Sequence, residues 1–371
     1  MYLTEKQLLK KGTIPKLPKK FFNDFGYKPE KLTLQWHITE RCNLKCTHCY
    51  QDSKVEELCF DELVMILEQY TSLLKKWGIK GHINITGGEP FVRSDFMSIL
   101  EQINRYGDFV SYGILSNGTF ITRDIAKELK RLNCKFVQVS LEGDKDTNDA
   151  IRGEGIFDKV VSTLDILRDA KIHSLVSFTA TKKNYREFEK VFEICEKHKV
   201  SRVWSDRVIP SGSADVGLMM SKEETKEFFE TMYECRAKSV TIPYDRQGWG
   251  ELKTEVAMYR ALQFETLFKN ENHSEDCSCC YHCEAGNSLI VIMADGQLVP
   301  CRRMPILLGN VLQEPIESIY YNSVIMKHLR NRLYNEGCEE CDYNLRCRGG
   351  LRCLSYALYN NPFIKDPQCF R

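Results

Sequence analysis

The chain of 371 residues lacks an excess of charge of either sign, a long apolar run and an export signal. Lys and Arg number 52 against 51 Asp and Glu, so no overall field attracts nucleic acid or an anionic membrane surface. No apolar stretch approaches the ~20 residues that cross a bilayer. The lysine-rich residues 1–20 contain no apolar core followed by a small-residue cleavage site. These absences predict a cytoplasmic protein without nucleic acid or membrane partners.

Cysteine, by contrast, is abundant. The chain has 17 cysteines, and ten of them lie after residue 276. Because thiols stay reduced in the cytosol, disulfides are not their expected use, and metal or cluster ligation is the better explanation. The segment after residue 276 has little apolar sequence, so we expect bound metal to supply much of its folding free energy. Four cysteines earlier in the chain lie on helical or strand patterns and are interpreted as core thiols: Cys59, Cys134, Cys195 and Cys235.

Three further cysteines lie close together in Cys42-Asn-Leu-Lys-Cys46-Thr-His-Cys49. Thiolates bind the irons of iron–sulfur clusters, and three thiolates hold only three irons of a 4Fe–4S cube. The fourth iron is then open to a substrate or cofactor. Zinc sites usually have four closed ligands arranged in Cys-x-x-Cys pairs. A zinc knuckle and three unrelated core thiols are therefore the weaker interpretations.

Residues 32–206 alternate between short β-rich runs and amphipathic helical patterns, which makes six βα units. This repeat predicts a parallel sheet, which right-handed crossovers would curl into a full or partial barrel. The chemistry of such barrels lies in loops after the C-terminal ends of strands, and the cysteine loop follows the first predicted strand. The predicted strands are 32–38, 82–85, 109–115, 136–140, 175–180 and 202–205, with helices near 60–77, 96–106, 123–132, 157–169, 186–198 and 221–238.

The spacing Cys42-x3-Cys46-x2-Cys49 resembles the signature of radical S-adenosylmethionine (radical SAM) enzymes. The resemblance implies an α/β fold with a partial (β/α)6 TIM-like barrel of the radical SAM type, a 4Fe–4S cluster and bound S-adenosylmethionine. The expected organisation is an N-terminal extension (1–30), a radical SAM core domain (31–240), a bridging segment of weak periodicity (241–275) and a cysteine-rich domain (276–371).

Other motifs occur in the order that this family would have them. Thr86-Gly87-Gly88-Glu89-Pro90 follows the second predicted strand and resembles the family's GGEP motif. By this resemblance, Gly87 and Gly88 let the backbone approach the methionine amino group closely, and Glu89 balances the charge of that group.

Three more residues are assigned to the cofactor by the same resemblance. Ser140, at the end of the fourth predicted strand in Ser140-Leu-Glu-Gly143, would reach the ribose or the carboxylate of S-adenosylmethionine. Arg152 would clamp that carboxylate as a bidentate donor. His48 lies in the cysteine loop where the family often has an aromatic residue, and it would pack against the adenine. Each motif alone has an ordinary explanation as a turn or surface residue, but their order favours the functional one.

The C-terminal cysteines resemble the SPASM domain, which carries two auxiliary iron–sulfur clusters. In that family's ligand order, auxiliary cluster I would use Cys277, Cys283 and Cys301, and auxiliary cluster II would use Cys338, Cys341, Cys347 and Cys369. A zinc ribbon is the alternative for the Cys-x-x-Cys pair that begins at position 338.

One position departs from the SPASM pattern. The family usually has a cysteine four residues after Cys347 as the last ligand of auxiliary cluster I, but this chain has Leu351 there and Cys353 two residues later. Several alternatives stay open: Cys353 completes the cluster, Cys279 or Cys280 substitutes, or the cluster has an open iron or fewer irons.

The resemblance also implies a reaction. S-adenosylmethionine would be cleaved reductively to a 5′-deoxyadenosyl radical, which abstracts a hydrogen atom from the substrate. Auxiliary clusters could accept the remaining electron, which favours an oxidative outcome such as a carbon–sulfur or carbon–carbon crosslink. Enzymes of this two-part architecture most often act on peptides or proteins. The leading hypothesis is therefore a maturase of a ribosomally made peptide.

Three alternatives accompany this hypothesis. An anaerobic sulfatase-maturating enzyme would form formylglycine with an aspartate base directly after the equivalent of Cys301, but this chain has Arg302, which cannot accept a proton at neutral pH. Biosynthesis of a redox cofactor is the second alternative. The third, a zinc or iron–sulfur scaffold or electron carrier, would not explain Glu89 and Arg152 alongside the first three cysteines.

The expected partners are a peptide substrate and an external reductant such as flavodoxin or ferredoxin. Many peptide maturases begin with a winged-helix module that binds a leader peptide. The extension of residues 1–30 is too short for that module. A leader peptide is therefore expected to bind a separate protein or the surface of the enzyme.

Overall fold

The structure is a computed structural model, and it describes residues 2–11, 26–51, 55–240, 243–249, 252–257, 283–331, 336–341, 347 and 349–370. The helices in this part of the chain are α1 (Glu5–Lys10), α2 (Phe60–Trp77), α3 (Phe96–Asn104), α4 (Arg123–Arg131), α5 (Lys145–Arg152), α6 (Ile156–Asp169), α7 (Phe188–Lys197), α8 (Lys222–Lys238), α9 (Ile316–Asn322), α10 (Val324–Asn331) and α11 (Arg352–Tyr359). The strands are β1 (Lys31–His37), β2 (Lys80–Thr86), β3 (Val110–Leu115), β4 (Phe136–Ser140), β5 (His173–Ala180), β6 (Arg202–Arg207), β7 (Glu255–Ala257), β8 (Leu289–Ile292), β9 (Gln297–Val299) and β10 (Gly309–Asn310).

The chain folds as two compact units, and both are discontinuous in sequence. The first unit comprises Met1–Asn43, Gln51–Val137 and Glu284–Arg332. The second unit comprises Leu44–Tyr50, Gln138–Cys283 and Leu333–Arg371. The boundary falls within β4.

In the first unit the strand order is β10-β9-β8-β1-β2-β3. β1 is parallel to both of its neighbours, with Leu34 in register with Ile290 on one side and with Ile83 on the other. β9 pairs antiparallel with β8 and β10. Alternate residues of a strand point to opposite faces, and these three side chains on one face are fully buried.

Helix α2 covers this buried face. Its apolar residues recur at helical spacing, and Leu67, Tyr70 and Leu74 are buried. The Tyr70 hydroxyl donates a hydrogen bond to the carbonyl oxygen of Leu32 in β1 at 2.7 Å. The helix ends at Gly78, whose φ of 69° is the left-handed conformation that glycine adopts readily. Each leucine buried in this way contributes about 1.5–3 kcal/mol.

Residues 2–11 belong to the same unit. Thr4 caps α1 through a capping box with Gln7, and it forms a parallel bridge with Leu307. The Glu5 carboxylate accepts the backbone N–H of Ile325 at 2.6 Å, near the start of α10. Leu8 is fully buried. The beginning of the chain is therefore packed against the 284–332 part of the first unit.

The second unit contains the parallel strands β5, β6 and β7, with β6 in the centre. Phe178 of β5 packs against Phe188 of α7 and Phe228 of α8, with ring centroids 5.6 Å and 6.2 Å apart. β7 lies within the predicted bridging segment, where its three residues are too short to give a detectable periodicity.

The α/β class with a parallel, unclosed sheet is confirmed, because in neither unit do the described strands close into a ring. The six predicted strands correspond to β1–β6 within two residues at each end. Sequence patterns missed α1, α5, α9–α11 and the strands after β6. The predicted domain bounds remain a prediction. Within the described ranges, no helix is both long enough and apolar enough to cross a membrane.

Candidate functional site

The segment that leads into the cysteine loop is fixed by a carboxylate of the first unit. After β1, Glu57 accepts hydrogen bonds from the Thr39 hydroxyl at 2.6 Å, the Glu40 backbone N–H at 2.9 Å and Arg41 Nε at 3.1 Å. Three donors on one carboxylate leave the backbone of residues 39–41 little freedom. Cys42 follows directly and is exposed.

The two glycines of the GGEP motif pack against this same segment. The Gly88 N–H donates to Thr39 O, and the Glu89 N–H donates to Arg41 O, both at 2.8 Å. A Cβ on Gly87 would lie 2.3 Å from Thr39 O, and one on Gly88 would lie 2.1 Å from Arg41 O. Only glycine fits this close backbone approach. The sequence analysis assigned these glycines to the methionine amino group, and that assignment remains a prediction.

Glu89 is fully buried at the end of this loop. Its carboxylate accepts hydrogen bonds from Asn117 N at 2.7 Å and Ser116 Oγ at 2.9 Å, after β3, and from Phe91 N at 3.3 Å. Burial raises the pKa of Glu89 to about 7, although these hydrogen bonds act in the opposite direction. Asn117 Nδ2 also lies 3.8 Å from Cys42 Sγ. Asn117 thus connects the buried carboxylate to the first cysteine.

In the second unit, the loop that carries Cys46 and Cys49 is held at both ends. The Thr47 N–H donates to Ile151 O of α5 at 3.0 Å, and the Ser213 N–H donates to Cys49 O at 2.8 Å. A Cβ on the neighbouring Gly212 would lie 2.5 Å from Cys49 O. The close approach of this glycine fixes the position of the third cysteine.

Arg152, at the end of α5, lies beside these thiols. Its Nη1 is 3.8 Å from Cys46 Sγ, and its Nη2 is paired with the Glu142 carboxylate. Burial opposes the positive charge, but Glu142 and the thiols of Cys46 and Cys49 raise the Arg152 pKa above its usual range. His48 Nε2 lies 3.2 Å from the same Glu142 carboxylate. The two residues predicted to contact the cofactor are therefore joined through one acidic residue.

The sequence motifs assign no role to Glu142 or Asn117, although both lie at strand ends. Glu142 is fully buried, and burial alone would raise its pKa, but Arg152 and His48 hold that pKa at about 2. The signal was present, because Ser140-Leu-Glu142-Gly143 was noted as a strand end. Ser140 ends β4 and is half-buried.

The residues of the second unit fit the predicted cofactor. Within the described part of that unit, the buried atoms His48 Nδ1 and Arg152 Nε have no hydrogen-bond partner. Both side chains are only 9% exposed. Buried polar atoms are normally hydrogen-bonded, so a polar ligand beside Cys46 and Cys49 would satisfy them.

In the second unit, four C-terminal thiols are linked by their effects on the pKa values of Cys338 and Cys347. Burial raises the pKa of Cys338 to about 11, and the nearby thiols of Cys341 and Cys369 add to this effect. Burial raises the pKa of Cys347 to about 12, with further contributions from Cys369, Asp366 and Cys338. Among the described residues, no three His, Cys, Asp or Glu side chains converge to metal-binding geometry. The assignment of these four thiols to auxiliary cluster II remains a prediction.

Asp366 organises the chain around these thiols. Its Oδ2 accepts the N–H of Leu351 at 3.0 Å, and its Oδ1 accepts the N–H of Gln368 at 2.9 Å. Leu351 is only 1% exposed, so the position where the family has a cysteine holds a core side chain. Cys353, at the start of α11, is also buried.

The thiols predicted for auxiliary cluster I are placed less completely. Cys277, Cys279 and Cys280 lie outside the described residues. Cys283 belongs to the second unit and Cys301 to the first.

Arg302, which follows Cys301, is buried. Its Nη1 donates to the Tyr2 hydroxyl at 2.8 Å, and its Nη2 is 3.9 Å from Glu40 Oε2. Burial and this cation hold the pKa of the neighbouring His37 well below its usual range.

The remaining thiols are not all core residues. Cys134, Cys195 and Cys235 are buried, and burial raises the pKa of Cys134 and Cys235 to about 12. The prediction for Cys59 is wrong, because that residue is exposed and occupies the N-cap position of α2. The apolar periodicity next to Cys59 belongs to α2, which begins one residue later.

Comparisons with known proteins agree with these features. Residues 36–195 match the radical SAM superfamily, and residues 283–342 match the iron–sulfur cluster-binding domain called SPASM. The chain is 28% identical to Fe-coproporphyrin III synthase of Methanosarcina barkeri, over 92% of this chain and 88% of that protein. It is 25% identical to mycofactocin maturase of Mycolicibacterium smegmatis, over 91% and 82% of the two chains. The structure of Streptococcus suis SuiB bound to its precursor peptide SuiA has a similar fold, with a TM-score of 0.70 and 16% identity over 99% of this chain and 79% of that one.

The chain therefore has a radical SAM domain followed by a SPASM domain. It is a radical SAM enzyme that uses S-adenosylmethionine, a 4Fe–4S cluster and auxiliary iron–sulfur clusters. The radical SAM domain and the enzymes among the similar proteins disfavour the alternative of a non-enzymatic scaffold or electron carrier.

Proposed function

We propose that the enzyme oxidises a ribosomally made peptide and introduces a thioether or carbon–carbon crosslink. The observation that carries the oxidative part is the match of residues 283–342 to the iron–sulfur cluster-binding SPASM domain. A crosslink removes two hydrogen atoms from the substrate, so the enzyme needs an acceptor for an electron as well as for a hydrogen atom. A redox centre in the C-terminal domain meets this requirement.

Two relatives support a peptide as the substrate. The mycofactocin maturase is similar along almost the whole chain, and the SuiB structure with a similar fold holds a precursor peptide. The reductant is proposed to be flavodoxin or ferredoxin, and any leader peptide is proposed to bind a separate protein or the enzyme surface.

The proposed cofactor contacts follow from the arrangement of each unit. When bound, S-adenosylmethionine and the clusters supply a hydrogen-atom acceptor and an electron acceptor. In the first unit, Glu89 is placed to balance an amino group, and Gly87 and Gly88 keep the adjoining backbone close. In the second unit, Arg152 is a buried cation suited to a carboxylate, and His48 supplies a ring for the adenine. Ser140, at the end of β4, is proposed for the ribose or the carboxylate.

Formylglycine formation receives less support. Arg302 stands where such an enzyme would need a base, and its guanidinium donates a hydrogen bond to Tyr2. Arginine does not lose its proton in proteins. Biosynthesis of a redox cofactor from a peptide precursor would use the same site, and it remains compatible with the peptide proposal.

A second candidate substrate is an iron porphyrin. Fe-coproporphyrin III synthase is more similar to this chain, at 28% identity, than the mycofactocin maturase at 25%.

One experiment separates the two candidates. The reconstituted enzyme is incubated anaerobically with S-adenosylmethionine and dithionite, in one reaction with peptides encoded beside its gene and in another with Fe-coproporphyrin III. Mass spectrometry should show the loss of two hydrogen atoms from a peptide, in step with 5′-deoxyadenosine. A change confined to the porphyrin would replace the peptide proposal with the second candidate.

The control is the Cys42→Ala variant, which lacks one ligand of the predicted 4Fe–4S cluster. It should form neither 5′-deoxyadenosine nor product. Cys195→Ala, which removes a buried thiol of α7, should retain the activity of the parent.

A further inference from the structure

Glu142 is held rigidly within the second unit. Its Oε2 accepts the Thr179 N–H of β5 at 2.8 Å, and its own N–H donates to Asn148 Oδ1 of α5 at 3.2 Å. Asn184 Nδ2 donates to the Glu142 carbonyl oxygen at 3.0 Å. The side chain is fully buried. Three separate parts of the unit therefore hold the backbone of Glu142 and one of its carboxylate oxygens.

The other carboxylate oxygen binds two side chains. His48 Nε2 lies 3.2 Å from Glu142 Oε1, and Arg152 Nη2 is paired with the same oxygen. Arg152 Nη1 continues to Cys46 Sγ at 3.8 Å. One buried anion thus sets the positions of an imidazole and a guanidinium beside the cysteine loop.

This arrangement fixes which atoms of the two side chains remain for a ligand. Glu142 Oε1 lies on the Nε2 side of the His48 ring, so Nδ1 is the ring nitrogen that remains for a ligand. Arg152 Nε–H is a donor. Within the described part of the second unit, neither atom has a hydrogen-bond partner, and both side chains are more than nine-tenths buried. Leaving such buried atoms unbonded costs free energy, which a bound ligand would recover.

We propose that Glu142 is a positioning residue for S-adenosylmethionine. Its carboxylate orients the two neighbouring side chains so that His48 Nδ1 and Arg152 Nε–H remain for hydrogen bonds with polar atoms of the cofactor. The inference rests on the cofactor contacts proposed above for His48 and Arg152, and it is independent of the substrate.

The test measures binding of S-adenosylmethionine to the full chain with reconstituted clusters, without reductant or substrate. Glu142→Gln keeps the size of the side chain but replaces an anion with a neutral amide, which pairs more weakly with the Arg152 guanidinium. Equilibrium dialysis should give a dissociation constant at least ~10-fold higher than that of the parent, with unchanged iron content and cluster absorbance. Glu187→Gln is the matched control and should keep the parent's dissociation constant, because Glu187 contacts Lys190 and Asp144 instead.

A double-mutant cycle shows whether Glu142 acts through its two partners. In a His48→Phe/Arg152→Lys background, Glu142→Gln should weaken binding by less than about 3-fold, because the groups that it orients are already gone. A full loss of about 10-fold in that background would overturn the proposal, since Glu142 would then act independently of them.

Glu142→Asp provides a second variant. It keeps the charge on a shorter side chain, so it should bind S-adenosylmethionine with intermediate affinity and retain the parent's iron content. If both variants lose the iron held by the first three cysteines, Glu142 supports the cluster site and the proposal is overturned. Because no substrate is present, failure of the peptide proposal would leave these results unchanged.

Discussion

Arg207 and Asp366 form a buried ion pair, in which Nη2 lies 2.6 Å from Oδ2 and the side chains are 2% and 1% exposed. Arg207 ends β6, and Asp366 accepts the N–H of Leu351 close to the C-terminal thiols. The pair therefore joins the sheet of the second unit to the chain that carries Cys347 and Cys369.

Asp366→Asn should destabilise the enzyme by about 3–5 kcal/mol, because it leaves a buried guanidinium without its counter-charge. Denaturant unfolding followed by fluorescence measures the loss, and iron analysis should show less cluster at the C-terminal thiols. The control is Arg186→Gln, which breaks an ion pair with Glu227 whose side chains are 70% and 47% exposed. Exposed pairs contribute at most ~1 kcal/mol, so equal losses in the two variants would contradict the prediction.

Gly88→Ala should abolish tight binding of S-adenosylmethionine and lower stability by at least ~2 kcal/mol, because the new methyl group would lie 2.1 Å from the Arg41 carbonyl oxygen. The backbone of residues 39–41 would have to move, and Cys42 with it. Thermal unfolding and equilibrium dialysis measure the two effects. Gly248→Ala is the control, since no atom lies within 4 Å of its added Cβ. Parental affinity in Gly88→Ala would show that this close approach is dispensable.

Glu89 should make stability fall as pH rises. Its pKa moves from an ordinary value of 4.5 to about 7 on folding, chiefly because of burial. Between these values the folded chain binds more protons than the unfolded chain, so the free energy of unfolding decreases toward neutral pH. The full decrease is about 3 kcal/mol.

The measurement is denaturant unfolding from pH 5 to pH 8 without S-adenosylmethionine. Glu89→Gln should remove this component of the pH dependence. Ser116→Ala should move it to higher pH, because it deletes a hydrogen bond that lowers the Glu89 pKa. If the Glu89→Gln variant kept the pH dependence of the parent, Glu89 would not be its source.

Iron analysis should give about twelve irons per reconstituted chain, as expected for three four-iron clusters. Replacing Cys42, Cys46 and Cys49 together by alanine should lower the count to about eight, and Cys338→Ala should impair auxiliary cluster II in the same way. Cys134→Ala, a buried thiol without a predicted cluster role, is the control. About eight irons in the parent, or bound zinc, would mean that one C-terminal site is missing or altered.

The same analysis tests Cys353. If this residue completes auxiliary cluster I, Cys353→Ala should lower iron and change the electron paramagnetic resonance spectrum of that cluster. Unchanged iron and spectrum would assign the ligand to Cys279, Cys280 or an open iron instead.

Local patterns explain which elements the sequence predicted. β1–β6 are apolar runs bounded by turns, so their existence and limits follow from the chain itself. Helix α5 has few apolar residues, and its start depends on the Asp144 cap rather than on periodicity. The pairing of β8 with β1 joins distant parts of the sequence and leaves no local signal.

In the site, too, local motifs were predictable from the sequence, whereas contacts between distant residues were not. The cysteine spacing and Glu89 were recognisable as motifs, and their residue types determine their chemistry. The role of Glu142 depends on the side chains of His48 and Arg152 and on the backbone N–H of Thr179, which only folding brings together. Cys59 misled the pattern analysis because an N-cap directly precedes the periodicity of its helix.

The parallel pairing of β1 with β8 has a consequence for synthesis on the ribosome. β8 emerges roughly 250 residues after β1, which at ~5–20 residues per second is on the order of ten seconds or more. During that interval one edge of β1 is available to other strands, including those of neighbouring nascent chains. We therefore expect high-level expression to favour aggregation, and slower translation or added chaperone to raise the yield of folded enzyme.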